Sequence, residues 1–247
     1  MPSQIGQRLA FQNASNAVKR AGLNPSRAVL SQSYLRLETP ISATATSYKF
    51  DVLTTENTQP ATYPTQLKLA LQDAFVISTL FIGIYAPNGA ATADTNTTPL
   101  SYPTIGNNGG AAGNCVLADA QKLMGIYNGF LQLNVNQRTI MTGWDLYRHL
   151  RIPSTQANGV LSTQFSNSTT TPTVAAFTAP THIPYDSTDG SSDGFYPVEP
   201  NVVLDGSKKN DLTITLPNAI GAFTSGYNYR FCIIARGILA QNVSAVN

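Results

Sequence analysis

Three observations predict a mainly β fold. Past residue 30 the apolar residues come in short runs, rich in β-branched and aromatic types and separated by Pro and Gly. Helical spacing is confined to residues 1–30 and to one short stretch, 117–127. Finally, segments 34–50 and 130–146 echo each other. Shifted by 96 positions, Tyr34-Leu35-Arg36-Leu37 falls on Phe130-Leu131-Gln132-Leu133, Thr46 on Thr142, Tyr48 on Trp144 and Phe50 on Leu146. A repeat of this length is too long for a solenoid unit and about right for a small β-domain. It predicts one β-module used twice, over 31–128 and 129–247, behind an arm at 1–30.

The arm comes first. Ile5, Leu9, Ala10, Asn13, Ala17 and Ala21 recur at helical spacing, and Gly22 with Pro25 ends the pattern. Up to Leu37 the charged residues are Arg8, Lys19, Arg20, Arg27 and Arg36, which is +5 against +2 for the whole chain. A basic, weakly amphipathic helix in front of a nearly neutral body suits contact with nucleic acid or an acidic membrane surface. It equally suits a solvated helix docked on the body.

Strands are expected at 33–38, 43–53, 66–71 and 75–85, then at 130–135, 139–150, 201–204, 212–216 and 229–239. Two long loops separate them, a Gly/Asn/Thr/Ala-rich one at 87–114 and one at 154–198 that contains no Lys or Arg. Leu117, Ala120, Leu123, Met124 and Tyr127 share one face of the internal helix. Val202-Val203-Leu204, then Asp205-Gly206-Ser207-Lys208-Lys209, then 212–216 read as a hairpin whose Asp-Gly supplies positive φ. A generous count of about ten to twelve strands fills one decorated jelly roll and falls short of two complete ones. The echo favours two similar barrels, a double jelly roll, with a single decorated jelly roll as the alternative.

Charge is scarce: 11% of residues are Asp, Glu, Lys or Arg, against the usual quarter. Asn, Thr, Ser and Gln supply the polarity instead. Charge keeps copies apart, so a charge-poor surface is expected to be buried against other copies. Two cysteines, Cys115 and Cys232, make no disulfide framework and read as free thiols. The N-terminus lacks an apolar signal core and no apolar run reaches the ~18 residues of a membrane span, which predicts synthesis in the cytoplasm.

Reactive constellations are few. His149 and His182 lie near no cysteine or second histidine, against zinc spacing. The Gly106-Asn107-Asn108-Gly109-Gly110 run has no following Lys-Ser/Thr, so it is a loop rather than a phosphate cradle. Asp186, Asp189 and Asp193, with Glu199 beyond, place hard oxygen ligands in a Gly/Ser loop, a weak candidate for structural calcium beside the reading of a solvated acidic loop. Trp144, the single tryptophan, and Tyr48 opposite it in the echo are expected core anchors. No catalytic residues, and no other cofactor, are assigned.

Five phrases spread over 71–243 carry a resemblance: Leu-Gln-Asp-Ala-Phe-Val-Ile (71–77), Ile-Tyr-Asn-Gly-Phe-Leu (126–131), Arg-Ile-Pro-Ser-Thr-Gln (151–156), Val-Glu-Pro-Asn-Val-Val-Leu-Asp-Gly (198–206) and Arg-Gly-Ile-Leu-Ala-Gln-Asn-Val (236–243). They resemble structural proteins of bacteriophages, especially those of Bacteroidota, and within these the double jelly-roll major capsid proteins of small icosahedral, membrane-containing phages. The resemblance implies upright paired barrels, trimeric capsomers with a near-sixfold outline, vertex and minor capsid partners, and an N-terminal segment facing an internal membrane. The expected role is a non-catalytic virion subunit. Arg8, Lys19, Arg20 and Arg27 would make the inner contact, and 88–114 with 157–197 the exposed or inter-subunit loops. With one barrel only, a capsid decoration or tail protein would fit better. A carbohydrate-binding jelly roll, with Tyr102, Tyr185 and Tyr196 as its platform, is the rival of another class.

Overall fold

The computed structural model describes residues 4–58, 63, 65–87, 97–100, 117–149, 194–223 and 229–243. Two antiparallel sheets face each other across one apolar core. Sheet A takes β1 (Val29–Pro40), β9 (Arg230–Gln241) and β3 (Ala74–Pro87) in that order, with β4 (Thr97–Leu100) and β7 (Tyr196–Asp205) sharing the far side of β3. Sheet B runs β2 (Ser47–Phe50), β8 (Asn210–Thr215), β5 (Phe130–Val135), β6 (Arg138–Asp145). Mainly β structure is thus what the sequence leads one to expect.

Period-two alternation decides which side chains meet between the sheets. Leu35, Leu37, Phe75, Ile82, Leu204, Phe231 and Ile233 from sheet A pack with Phe50, Leu131, Leu133, Leu212, Ile214 and Trp144 from sheet B. Helix α2 (Leu117–Met124) and the 3-10 turn after it add Leu123, Ile126 and Tyr127 to this core. The turn of the β5–β6 hairpin is Asn136-Gln137, both at positive φ, as a two-residue turn between twisted strands requires.

Three sequence expectations need correction. Residue 129 does not divide the described strands into two barrels: β1, β2 and β3 pair with β9, β8 and β7 from the other half, in one core. Leu35 and Leu37 match Leu131 and Leu133 because each pair is the inward set of a half-buried strand. Yet β1 leads across to the other sheet, whereas β5 turns straight back on β6. Second, 202–216 is no hairpin, since β7 lies in sheet A and β8 in sheet B. Gly206 has no positive φ; its missing side chain admits the carbonyls of Ala70, Leu71 and Asp73. The Asp205 carboxylate accepts from the Ser207 amide at 2.9 Å and shapes this inter-sheet corner. Third, several elements differ in extent. The stretch 66–71 makes only isolated bridges at Leu67 and Leu69, β2 is confined to Ser47–Phe50, β6 stops at Asp145, and β4 falls inside the predicted loop 87–114. Tyr147–His149 forms a 3-10 turn capped by Asp145, whose carboxylate accepts from the Tyr147 amide at 3.0 Å.

Among the described residues several sheet edges are short or interrupted. Leu67 exchanges both backbone hydrogen bonds with Arg36 on the outside of β1, β2 spans Ser47–Phe50 and carries Lys49, β6 has two register shifts, and β4 and β7 divide the last edge between them. Such edges resist strand addition by another chain.

Candidate interaction surface

Helix α1 (Gln4–Arg20) lies on the outer face of sheet A. Its Gln, Leu, Ala, Lys and Arg residues favour the helix against Gly6, Asn13 and Asn16, and Gly22 at φ +83 ends it: the Gly22 and Leu23 amides donate back to the Lys19 and Val18 carbonyls. The docked side is Phe11, Ala14, Ala17 and Val18, against Ala74, Val76, Ile238, Ala240 and Val243. This differs from the expected stripe, of which Leu9 is 53% exposed and Ala10 and Asn13 face solvent. The sheet is floored here by alanines and short β-branched residues, so the alanine side of the helix can approach it more closely than the Leu9 side. Arg8, Lys19 and Arg20 consequently point outward, and no carboxylate among the described residues forms an ion pair with them. Arg27 ends the 3-10 turn Pro25–Arg27 that leads to β1.

The opposite end of the same face holds a buried ionic cluster. Glu38 on β1 accepts from Arg36 Nε at 2.9 Å and from the Thr65 hydroxyl at 2.6 Å, and Arg230 Nη1 on β9 lies 3.2 Å from its second oxygen. Glu38 and Arg230 are each 1% exposed, and the Arg230 guanidinium stacks 3.9 Å from the Tyr63 ring. Gln66 adds a hydrogen bond to the Glu38 carbonyl, so the segment before β3 is clamped over the sheet. Cys232 sits beside Glu38 in the register, and burial, with that carboxylate nearby, pushes its thiol up to about 12. It is an unreactive free thiol; Cys115 lies outside the described residues.

Between these two covers a strip of sheet A stays open. Its rows are Tyr34–Arg236–Thr79 and Arg36–Ile234–Phe81 across β1, β9 and β3. Tyr34 is 50% exposed, and Arg236 is exposed with its guanidinium 3.6 Å from the Phe195 ring. The sequence does not bring the two together, because the pairing that joins them links the two ends of the chain.

Both expected core anchors are buried. The Tyr48 hydroxyl donates to the Ser42 and Ala45 carbonyls at 2.9 Å each, and its ring meets Phe231 edge-on. Trp144 Nε1 donates to His149 Nε2 at 2.8 Å while Arg148 stacks 4.2 Å from its ring. A neutral imidazole has one acceptor nitrogen, so this bond leaves Nδ1–H for the Gly194 carbonyl. The 3.3 Å approach of the Ile82 amide to Nδ1 is then packing rather than a bond. Burial, with Arg148 close by, pushes His149 down to about 3 against the pull of that carbonyl. His149 is thus held neutral and buried between core elements, where it links Trp144 to β3.

The outer face of sheet B is different. Ser47, Thr215 and Phe130 form one row and Lys49, Thr213 and Gln132 the next. Lys49 and Lys209 both approach Asp211, at 3.5 and 3.4 Å, so two cations share one carboxylate. Among the described residues no helix packs over it.

Asp186, Asp189 and Asp193, like Tyr102 and Tyr185, lie outside the described residues. Among the described residues no group of three or more His, Cys, Asp or Glu could hold a metal ion. Tyr196 is half-buried, its ring 5.0 Å from His149 in a T-shaped arrangement. No helix among the described residues is long and apolar enough to cross a membrane. Comparison with protein-family models, with curated proteins and with solved structures finds no match.

Proposed function

We propose that this chain is a viral capsid subunit built on a single jelly roll, which acts by self-assembly into an icosahedral shell and carries out no catalysis. The observation that carries the reading is the strand order. With the short β4 set aside, sheet A runs β1-β9-β3-β7 and sheet B β2-β8-β5-β6. That interleaving of early and late strands in both sheets is what two nested Greek keys produce, an architecture shared by viral shells and lectins. The scarcity of charge favours a shell over a lectin, because burial between neighbours suits an uncharged polar surface. The interrupted edges favour contact through faces and loops, with sheet B's uncovered, Thr-rich face foremost. The cations of α1, which form no ion pair among the described residues, favour a shell subunit with an interior to face over a decoration protein seated on the outside.

With one sandwich per chain, a trimer would present three lobes, so the near-sixfold outline implied by two barrels is not carried forward. Other copies of the chain, and vertex or minor virion proteins, are the partners proposed. The test is what the purified chain forms and how many copies native particles hold. Closed particles seen by negative-stain electron microscopy, with this chain the most abundant band of the virion, are expected. A chain that stays monomeric at high concentration and binds glycans contradicts the reading; low copy number on a shell made of another protein identifies a decoration protein instead.

A further inference from the structure

The bare strip of sheet A joins three features that the proposed function does not use. Tyr34 offers an exposed aromatic face, Arg236 an exposed guanidinium one strand away, and α1 adds Arg8, Lys19 and Arg20 on the same side of the sandwich. Among the described residues carboxylates are few on this side, with Asp73, just before β3, accepting from the Asn242 amide at 3.0 Å. There is none in α1, β3 or β9; Glu38 is buried against two arginines, and Asp205 is buried beside Lys208 at 3.0 Å. Glu199, on the edge strand β7, is the exposed one among the described residues of these elements.

A face of this kind is complementary to a polyanion. Two polyanionic surfaces could occupy it, an acidic bilayer or a nucleic acid, and the docking of α1 separates them. Membrane-surface helices insert a free apolar side, but Phe11, Ala14, Ala17 and Val18 are already spent on sheet A. Among the side chains described, α1 turns outward Arg8, Gln12, Asn13, Asn16, Lys19 and Arg20, with Leu9 as the large apolar one. These are phosphate- and base-edge-binding groups. Tyr34 has a use only if bases are unstacked, since a duplex hides their faces.

We infer that the open strip of sheet A, flanked by α1, is a track for single-stranded nucleic acid. Tyr34 stacks on a base, Arg236 holds the adjoining phosphate, and Arg8, Lys19 and Arg20 follow the backbone along the helix. The inference rests on the capsid reading for its biology, because a genome lies inside the shell, but the chemistry is measurable on the unassembled chain.

The test is fluorescence anisotropy of the full chain with labelled oligo-dT and oligo-U, a DNA duplex, and a pelleting assay with phosphatidylglycerol vesicles. Single strands are expected to bind, and either preference between dT and U supports the track and names the polymer. Tyr34→Ala should weaken binding about tenfold while Tyr34→Phe restores it. Arg236→Gln should lower the slope of log affinity against log salt by about 0.7, one phosphate's worth. Lys49→Gln on sheet B should change neither. Binding that ignores both Tyr34 and Arg236, tighter binding of the duplex, or binding of vesicles alone overturns the inference. Particle formation is scored on the same proteins. Shells formed by a chain whose oligonucleotide binding ignores Tyr34 and Arg236 sink the track and spare the capsid reading. Tyr34-dependent binding by a chain that never assembles does the reverse.

Discussion

The two outer faces of the sandwich come from the same strand chemistry and end up opposite in character. On sheet A an ion cluster is buried, a helix is docked, and the cations of α1 form no ion pair with any described carboxylate. On sheet B no helix among the described residues covers the face, its polarity is mostly Ser, Thr and Gln, and Lys49 and Lys209 share the Asp211 carboxylate. The lesson is that charge in this chain is placed, not spread. Where a charge serves the fold it is buried and paired, and where it is exposed without a partner it lies mainly on one side.

The sharpest break of this contrast is to cut one ion pair on each face. Removing Glu38 leaves Arg36 and Arg230 facing a buried void of charge, so Glu38→Ala should cost about 3–5 kcal/mol. Lys49→Ala, at a partly exposed pair, should cost under about 1 kcal/mol. Urea unfolding of both variants measures the difference, and equal costs would erase the distinction between the faces.

Acid offers the next largest effect. The folded His149 titrates near 3, below the ordinary 6.5 of the unfolded chain. Its contribution is therefore complete above pH 6.5 and is lost as pH falls toward 3, since protons then bind the unfolded state first. By pH 4.5 the loss should reach about 2–3 kcal/mol. A His149→Gln chain should be flatter over that window, and an identical pH profile in the two proteins would remove His149 as the cause.

The smallest effect on the fold is expected from Thr213→Lys on sheet B. The side chain lies on an outer face, so stability should move by less than about 0.5 kcal/mol. Particle yield should nevertheless fall, because an unmatched charge is placed where neighbours are proposed to pack. Unchanged yield would show that copies meet elsewhere. Truncating α1 is a poorer probe of assembly than neutralising Arg8, Lys19 and Arg20 together, because losing the helix also bares Val76 and Ile238.

Much of the fold was legible because burial imprints a period on the sequence. The alternation at Leu35 and Leu37 or Leu131 and Leu133, the stop at Gly22, and the burial of Tyr48 and Trp144 are all local consequences of packing. What misled was equally local. The echo recorded the shared period of two half-buried strands, and Asp205-Gly206 looks alike whether the chain turns back in one sheet or crosses to the other. The candidate track was not legible at all. Tyr34 and Arg236 are neighbours only because the first and last strands of sheet A pair, and α1 reveals its outward side only once Ala14 and Ala17 have found the small-residue end of that sheet.

Which way the sandwich faces in an assembled shell tests this account most directly, and electron cryomicroscopy of the particles would show it. The account predicts closed shells with α1 and Tyr34 lining the interior and sheet B's outer face in contact with neighbouring copies. Shells with α1 on the exterior, or no shells from the purified chain under any assembly condition, would contradict it.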